Sequence, residues 1–115
     1  MTITATPEQI PQIVEEARAA AYAAAQKYFT EKLGGRDQFA CGFAWVNIYK
    51  VKGNTRIGRA LKDCNIRPSY TGGLQLYNPS GFGCQNVDTL EAGAEAAAAV
   101  FKRYGFEAYA GSRLD

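Results

Sequence analysis

With 115 residues, 47% hydrophobic and 21% charged, the chain has material for one domain with a two-layer core, and this composition excludes wholesale disorder. Thirteen Lys and Arg against eleven Asp and Glu leave a net charge of +2, which excludes capture of DNA or an anionic membrane by bulk charge. Histidine is absent, which removes His-based triads, Cys/His zinc sites and the usual general base near neutral pH.

Residues 1–6 are polar and β-branched and read as a flexible arm or a short edge strand. They show neither a basic nor an apolar leader segment, and no apolar run is long enough for a transmembrane helix. A cytoplasmic location with reduced thiols is therefore expected. A long helix is predicted from Pro7 or Pro11 to Leu33. Thr6 with Gln9 fits a capping box and Pro7 fits the first helical position, whereas Pro11 removes an intrahelical bond. Ile10, Val14, Ala17, Ala21, Ala24 and Tyr28 form one stripe, mostly alanine in its second half, which lets two backbones approach closely. Self-association through this stripe is expected. Gly34-Gly35 ends the helix.

Phe39 to Val51 reads as a strand with unlike faces. Phe39, Cys41, Phe43, Trp45, Asn47, Tyr49 and Val51 make a bulky side; Ala40, Gly42, Ala44, Val46, Ile48 and Lys50 make a small one. The small side suits the alanine-rich helix, and the aromatic side needs its own cover: another helix, a partner subunit or a ligand. A short helix follows from Thr55 to Cys64, capped by Asn54 or Thr55. Asn65 to Tyr70 reads as a loop and Gly73 to Asn78 as a strand with Leu74 and Leu76 inward. Phe82 to Val87 either pairs back or remains a loop. Asp88 with Glu91 marks the start of a helix from Thr89 to Tyr104, and Phe106 to Ala110 is the last strand, followed by a tail, 111–115. The order predicts a single α+β domain over residues 1–115. Its small mixed or antiparallel sheet is covered by a long Ala-rich N-terminal helix and two shorter helices.

Three segments carry candidate chemistry. Lys50 to Lys62 holds five cations and no acid; Asn54 lies at a helix N-terminus, and Arg56 and Arg59 stand three apart, spaced to clamp phosphate. A solvated basic face is the alternative, and the P-loop spacing is absent. Gly72 to Asn86 carries four glycines with Tyr77 and Phe82 as stacking faces, and Asn78, Gln85 and Asn86 as amides that read a base or ribose edge. An amide-capped glycine-rich hairpin accounts for the same residues. At the end of the chain, Arg113 and Asp115 project to one side if the last strand continues, suited to phosphate and ribose or simply to a surface ion pair. Cys41 and Cys64 read as small core residues and Cys84 as a structural loop residue; no CxxC pair exists. No paired carboxylates, metal site or cofactor are called for, and composition and spacing by themselves reach only a small α+β domain that binds something. A non-catalytic binder of a small phosphorylated nucleotide is expected once these segments are joined to a family resemblance.

From Cys41 to Asp115 the chain also resembles a widespread type of small phage protein, through CGFAWVNI, KGNTRIGRALK, GGLQLYNPSG, QNVDTLEAGAEA and the terminal YAGSRLD. Among phage proteins it is similar to the anti-Thoeris sponges, which sequester cyclic ADP-ribose-type signals of bacterial TIR-domain enzymes without cleaving them. The resemblance implies an oligomer with recessed pockets between subunits. In it Arg113 and Asp115 would line the pocket, Phe82 or Tyr77 would stack on the base, and Asn78 or Asn86 would fix ribose or base. A cyclic oligonucleotide is a related ligand. The alternative function is a phage inhibitor that binds and blocks a host defence protein with the aromatic strand face.

Overall fold

Gln9 Oε1 accepts the Thr6 N–H at 3.0 Å, which closes the entry to a 3-10 turn, Pro7–Gln9, and helix α1 continues from Ile10 to Leu33. Pro11 falls in the first turn of α1, where its missing N–H costs no intrahelical bond. Gly34 ends the helix in the left-handed conformation, φ 64°. The computed structural model describes residues 2–70 and 72–115. The expected flexible arm lies against the body: Thr4 N–H donates to Tyr104 O at 2.9 Å, and Ile3 and Ala5 pack on the core. Met1, the first residue of that arm, is outside the described residues.

Strand β1, Gly42–Tyr49, alternates as its sequence dictates. Gly42, Ala44, Val46 and Ile48 are buried, and Phe43, Trp45, Asn47 and Tyr49 are half-exposed. The strand is shorter than expected because Phe39 (φ 67°) and Lys50 (φ 60°) take left-handed conformations that extended pairing cannot accommodate. The kink at Lys50 shifts the alternation, so Val51 turns into the core rather than joining the aromatic side. Helix α2, Arg56–Asp63, is capped by Thr55, whose Oγ1 accepts from Gly58 N–H at 3.1 Å.

Residues 65–70, expected as a loop, contain a two-residue strand, β2, Arg67–Pro68. It pairs with β3, Leu74–Tyr77, in which Leu74 and Leu76 point inward. Residues 82–86 remain a loop, joined to the start of β1 by an isolated bridge between Cys41 and Asn86. Helix α3 spans Val87–Arg103. Its cap is Asn86, two residues before the expected Asp88. The carboxylate of Glu91, read as the capping partner, is engaged by the Ser112 hydroxyl instead. Strand β4, Glu107–Leu114, absorbs most of the segment expected as a tail.

The sheet order is β2-β3-β1-β4, antiparallel throughout. Helix α3 packs on β1 and β4, and α1 packs along α3. Ile10, Ile13, Val14, Ala17 and Ala21 join Val46, Ile48, Leu76, Phe101 and Phe106 in one core. This is the α+β architecture expected, with every helix-to-sheet contact on one side. The alanine stripe is spent inside the chain: Ala17 and Ala21 are fully buried in the same core as Ala94 and Ala97 of α3. Its second half is only partly covered: Ala24 and Tyr28 are half-exposed and line a surface hollow. At one end of the bundle Glu16 clamps α1 to α3. It accepts from Arg103 and from the Tyr104 hydroxyl, both at 2.9 Å, and this bond raises the Tyr104 phenol above its ordinary pKa.

Candidate functional site: the open face of the sheet

Because both long helices lie on one side, the other side of the sheet has no cover within the described chain. Pairing register determines what it displays, since directly opposed residues share a face. Arg67, Gln75, Asn47 and Tyr109 form one row across all four strands. Tyr77, Trp45 and Gly111 form the next, and Phe43 with Arg113 a third.

The side chains interlock along these rows. Phe43 and Tyr77 have ring centroids 6.2 Å apart, and the Arg113 guanidinium carbon lies 5.2 Å above the Phe43 ring. Gln75 Nε2 donates to Asn47 Oδ1 at 3.4 Å. Tyr49 and Tyr109 are 6.1 Å apart, with Lys102 Nζ 5.2 Å from the Tyr109 centroid. The Trp45 indole packs against Gly111, where any Cβ would collide with it. Tyr77 remains 52% exposed and Tyr109 48%, so much of the aromatic surface meets solvent. Arg113 has no carboxylate partner among the described ion pairs.

The structure separates the residues singled out from sequence. Tyr77 and Arg113 reach the open face together with Phe43. Asp115 follows beside them, its N–H donating to Cys41 O at 3.0 Å. Asn78 turns away from the strand at φ 45°, its Oδ1 accepting from the Ser80 hydroxyl at 3.5 Å. Phe82 crosses to the helical side, where its ring packs between Tyr22 at 5.4 Å and Phe29 at 5.2 Å. Asn86 is 1% exposed, and its amide is consumed by Gln38 O and by Thr89. Within one chain, the ring of Phe82 and the amide of Asn86 are engaged away from the face that carries Arg113.

Asn54, Arg56 and Arg59 sit beyond the far end of β1 from Arg113. An eight-residue strand separates the two regions by about 25 Å. Arg56 pairs there with Glu8 at 3.2 Å, and Thr55 Oγ1 already occupies one free amide of α2. The basic segment and the terminal guanidinium therefore cannot hold one small ligand together in one chain.

The sequence marks Phe43, Trp45, Asn47 and Tyr49 only as a face that needs cover, without assigning them to the ligand site, and does not single out Tyr109, or Gln75 as a ligand contact. The signal was present in the strict alternation of large and small residues in β1. Its meaning depended on the side of the sheet to which the helices go.

The thiols offer little nucleophilic chemistry. Cys41, expected in the core, is exposed, because the strand begins only after it. Cys64 and Cys84 are half-buried, and burial is the main cause pushing both thiols above their ordinary pKa. Iodoacetamide at neutral pH should therefore modify Cys41 first, as read by peptide mass spectrometry; faster labelling of Cys84 would mean that its loop opens. Among the described residues no group of three Cys, Asp or Glu side chains converges as a metal site, and no helix is long and apolar enough to cross a membrane.

Shallow hollows open elsewhere. One lies between Tyr28, Lys32 and Ala92, one beside Glu95, Lys102 and Tyr109, and one at Ile3, Tyr49 and Glu107. Their volumes, from about 70 to 280 Å³, fall below the ~300–1,000 Å³ of pockets that enclose drug-sized ligands. Comparison with protein-family models, curated proteins and solved structures returned no match.

Proposed function

We propose that the protein is a non-catalytic binding protein whose open sheet face takes a nucleotide. The observation that carries this reading is the contiguous set Tyr77, Phe43 and Arg113, in which a guanidinium is held over one ring beside a second, exposed ring. A nucleobase stacks on such a surface, and a guanidinium with no carboxylate partner among the described ion pairs offers its donors to phosphate. Asn47 and Gln75, already bonded to each other, present amide groups in the adjacent row. The non-catalytic part rests on the character of these side chains: rings, amides and a guanidinium hold a ligand but supply no base or nucleophile at neutral pH.

The phage resemblance makes the specific form a cytoplasmic sponge for a cyclic ADP-ribose-type or cyclic oligonucleotide signal. On this reading Arg113 and Tyr77 keep the roles inferred from sequence, Asp115 lies close enough to join them, and Phe43 is added. One chain supplies a platform rather than an enclosing pocket. The openness of the face also favours a second reading, in which a host defence protein covers the rings, because exposed aromatics and arginine are typical of interface centres.

The test is ligand uptake. The protein is incubated with a cyclic ADP-ribose isomer or a cyclic dinucleotide, freed of unbound ligand and denatured by heat. Intact ligand in the supernatant supports sequestration. A chemically altered product overturns the non-catalytic reading, and no uptake leaves the protein-partner reading as the better one. Phe43→Ala and Arg113→Ala should each weaken binding by roughly 5- to 150-fold, the equivalent of about 1–3 kcal/mol for one stacking or charge-assisted contact. Unchanged affinity in both variants would remove this face from the site.

A further inference from the structure

The two edges of the sheet are built differently. The β2 edge is two residues long and contains Pro68, features that block further pairing. The β4 edge is eight residues long and has no proline and no lysine. It also pairs with β1 in unbroken register from Glu107 to Leu114, without a bulge.

The direction of its free hydrogen-bonding groups follows from one contact. Asp115 N–H donates to Cys41 O, and in an antiparallel ladder the bonded residues alternate. The odd-numbered residues of β4 therefore bond to β1. Ala108, Ala110, Ser112 and Leu114 direct their N–H and C=O groups away from the sheet, and β4 has no other neighbouring strand among the described residues. Small residues at 108, 110, 111 and 112 leave the approach open.

We infer that this edge pairs with the β4 edge of a second copy, antiparallel about a two-fold axis through Ala110, to make one continuous eight-stranded sheet. Charge selects the register. Glu107, which also meets the exposed Lys50 of its own chain at 3.3 Å, and Arg113 stand three residues on either side of Ala110 and point to the same face. With Ala110 on the axis, Glu107 opposes the partner's Arg113 at both ends, and Tyr109 opposes the partner's Gly111. Moving the axis to Gly111 would set Glu107 against the partner's Asp115, a repulsive pair. On the helical side, Glu95 and Lys102 of α3 flank Ala98 and line the hollow beside Ala110. The same axis brings these opposite charges toward each other between the two copies. Such a contact is isologous and closes at two subunits. It requires no nucleotide, but it places two ring platforms on one face and gives each Arg113 a carboxylate that competes with phosphate for its donors.

Sedimentation equilibrium of the full chain at micromolar concentration should give twice the 12.5 kDa chain mass. Ala110→Pro removes an N–H that β1 does not use, so it should leave the fold intact by circular dichroism and shift the mass to the single chain. If that variant fails to fold, the charge pair decides. Glu107→Arg should give a monomer by setting two arginines together, and combining it with Arg113→Glu should restore the dimer. A monomeric wild type overturns the proposal. So does a dimer that survives a folded Ala110→Pro or the single charge reversal.

Discussion

Replacing Asn86 with alanine is expected to destabilise the protein by about 2–4 kcal/mol. The side chain is 1% exposed and does three things. Its Oδ1 accepts the Thr89 N–H at 2.8 Å, which caps α3, and also the Thr89 hydroxyl at 2.9 Å. Its Nδ2 donates to Gln38 O at 2.9 Å, which ties the chain between α1 and β1 to the start of α3. Alanine removes the cap and leaves buried polar groups unpaired. For a domain of this size the loss corresponds to a fall of roughly 8–16 °C in Tm, read by thermal or urea unfolding. The same variant separates the two roles open to Asn86. A variant that keeps its Tm but loses nucleotide binding would return Asn86 to the ligand site, whereas a destabilised variant that still binds ligand at low temperature confines it to the scaffold.

Gly93→Val should destabilise the protein by about 3 kcal/mol through overpacking. A Cβ at Gly93 would lie 2.9 Å from Ser80 Cβ and 3.0 Å from the Ala21 carbonyl oxygen of α1. The second neighbour is backbone within a helix, so relief requires α1 and α3 to move apart. Those helices share a core faced by Ala17, Ala21, Ala94 and Ala97, whose short side chains suit close approach and cannot fill a wider gap. Gly93→Ala should cost less, because about 1 kcal/mol of helix propensity offsets part of the crowding. The urea midpoint should therefore rank wild type above Gly93→Ala above Gly93→Val. Wild-type stability in the valine variant would show that the helix pair separates freely.

The two positions illustrate how legible this chain is. The stripe on α1 and the alternation in β1 can be read directly, because each depends on the repeat of one element: 3.6 residues for the helix, two for the strand. Element starts were less secure. Asp88 with Glu91 has the spacing of a capping box, but Ser112, far away in sequence, takes the Glu91 carboxylate, and Asn86 caps instead. The grouping of Phe82 with Tyr77 failed for a similar reason. The four residues between them include the left-handed Asn78 and Gly81, which carry the chain from one side of the sheet to the other.

By itself, the sequence determined the α+β class, the helices, and the division of β1 into a small side and an aromatic side. Those features follow from local periodicity and capping. Tertiary structure alone decided that α1 spends its alanine stripe on α3, that the aromatic side stays open, and that Arg113 meets Phe43 while Asn86 and Phe82 do not. Those outcomes depend on strand order, register and the side from which the helices approach, and no short stretch of chain encodes them.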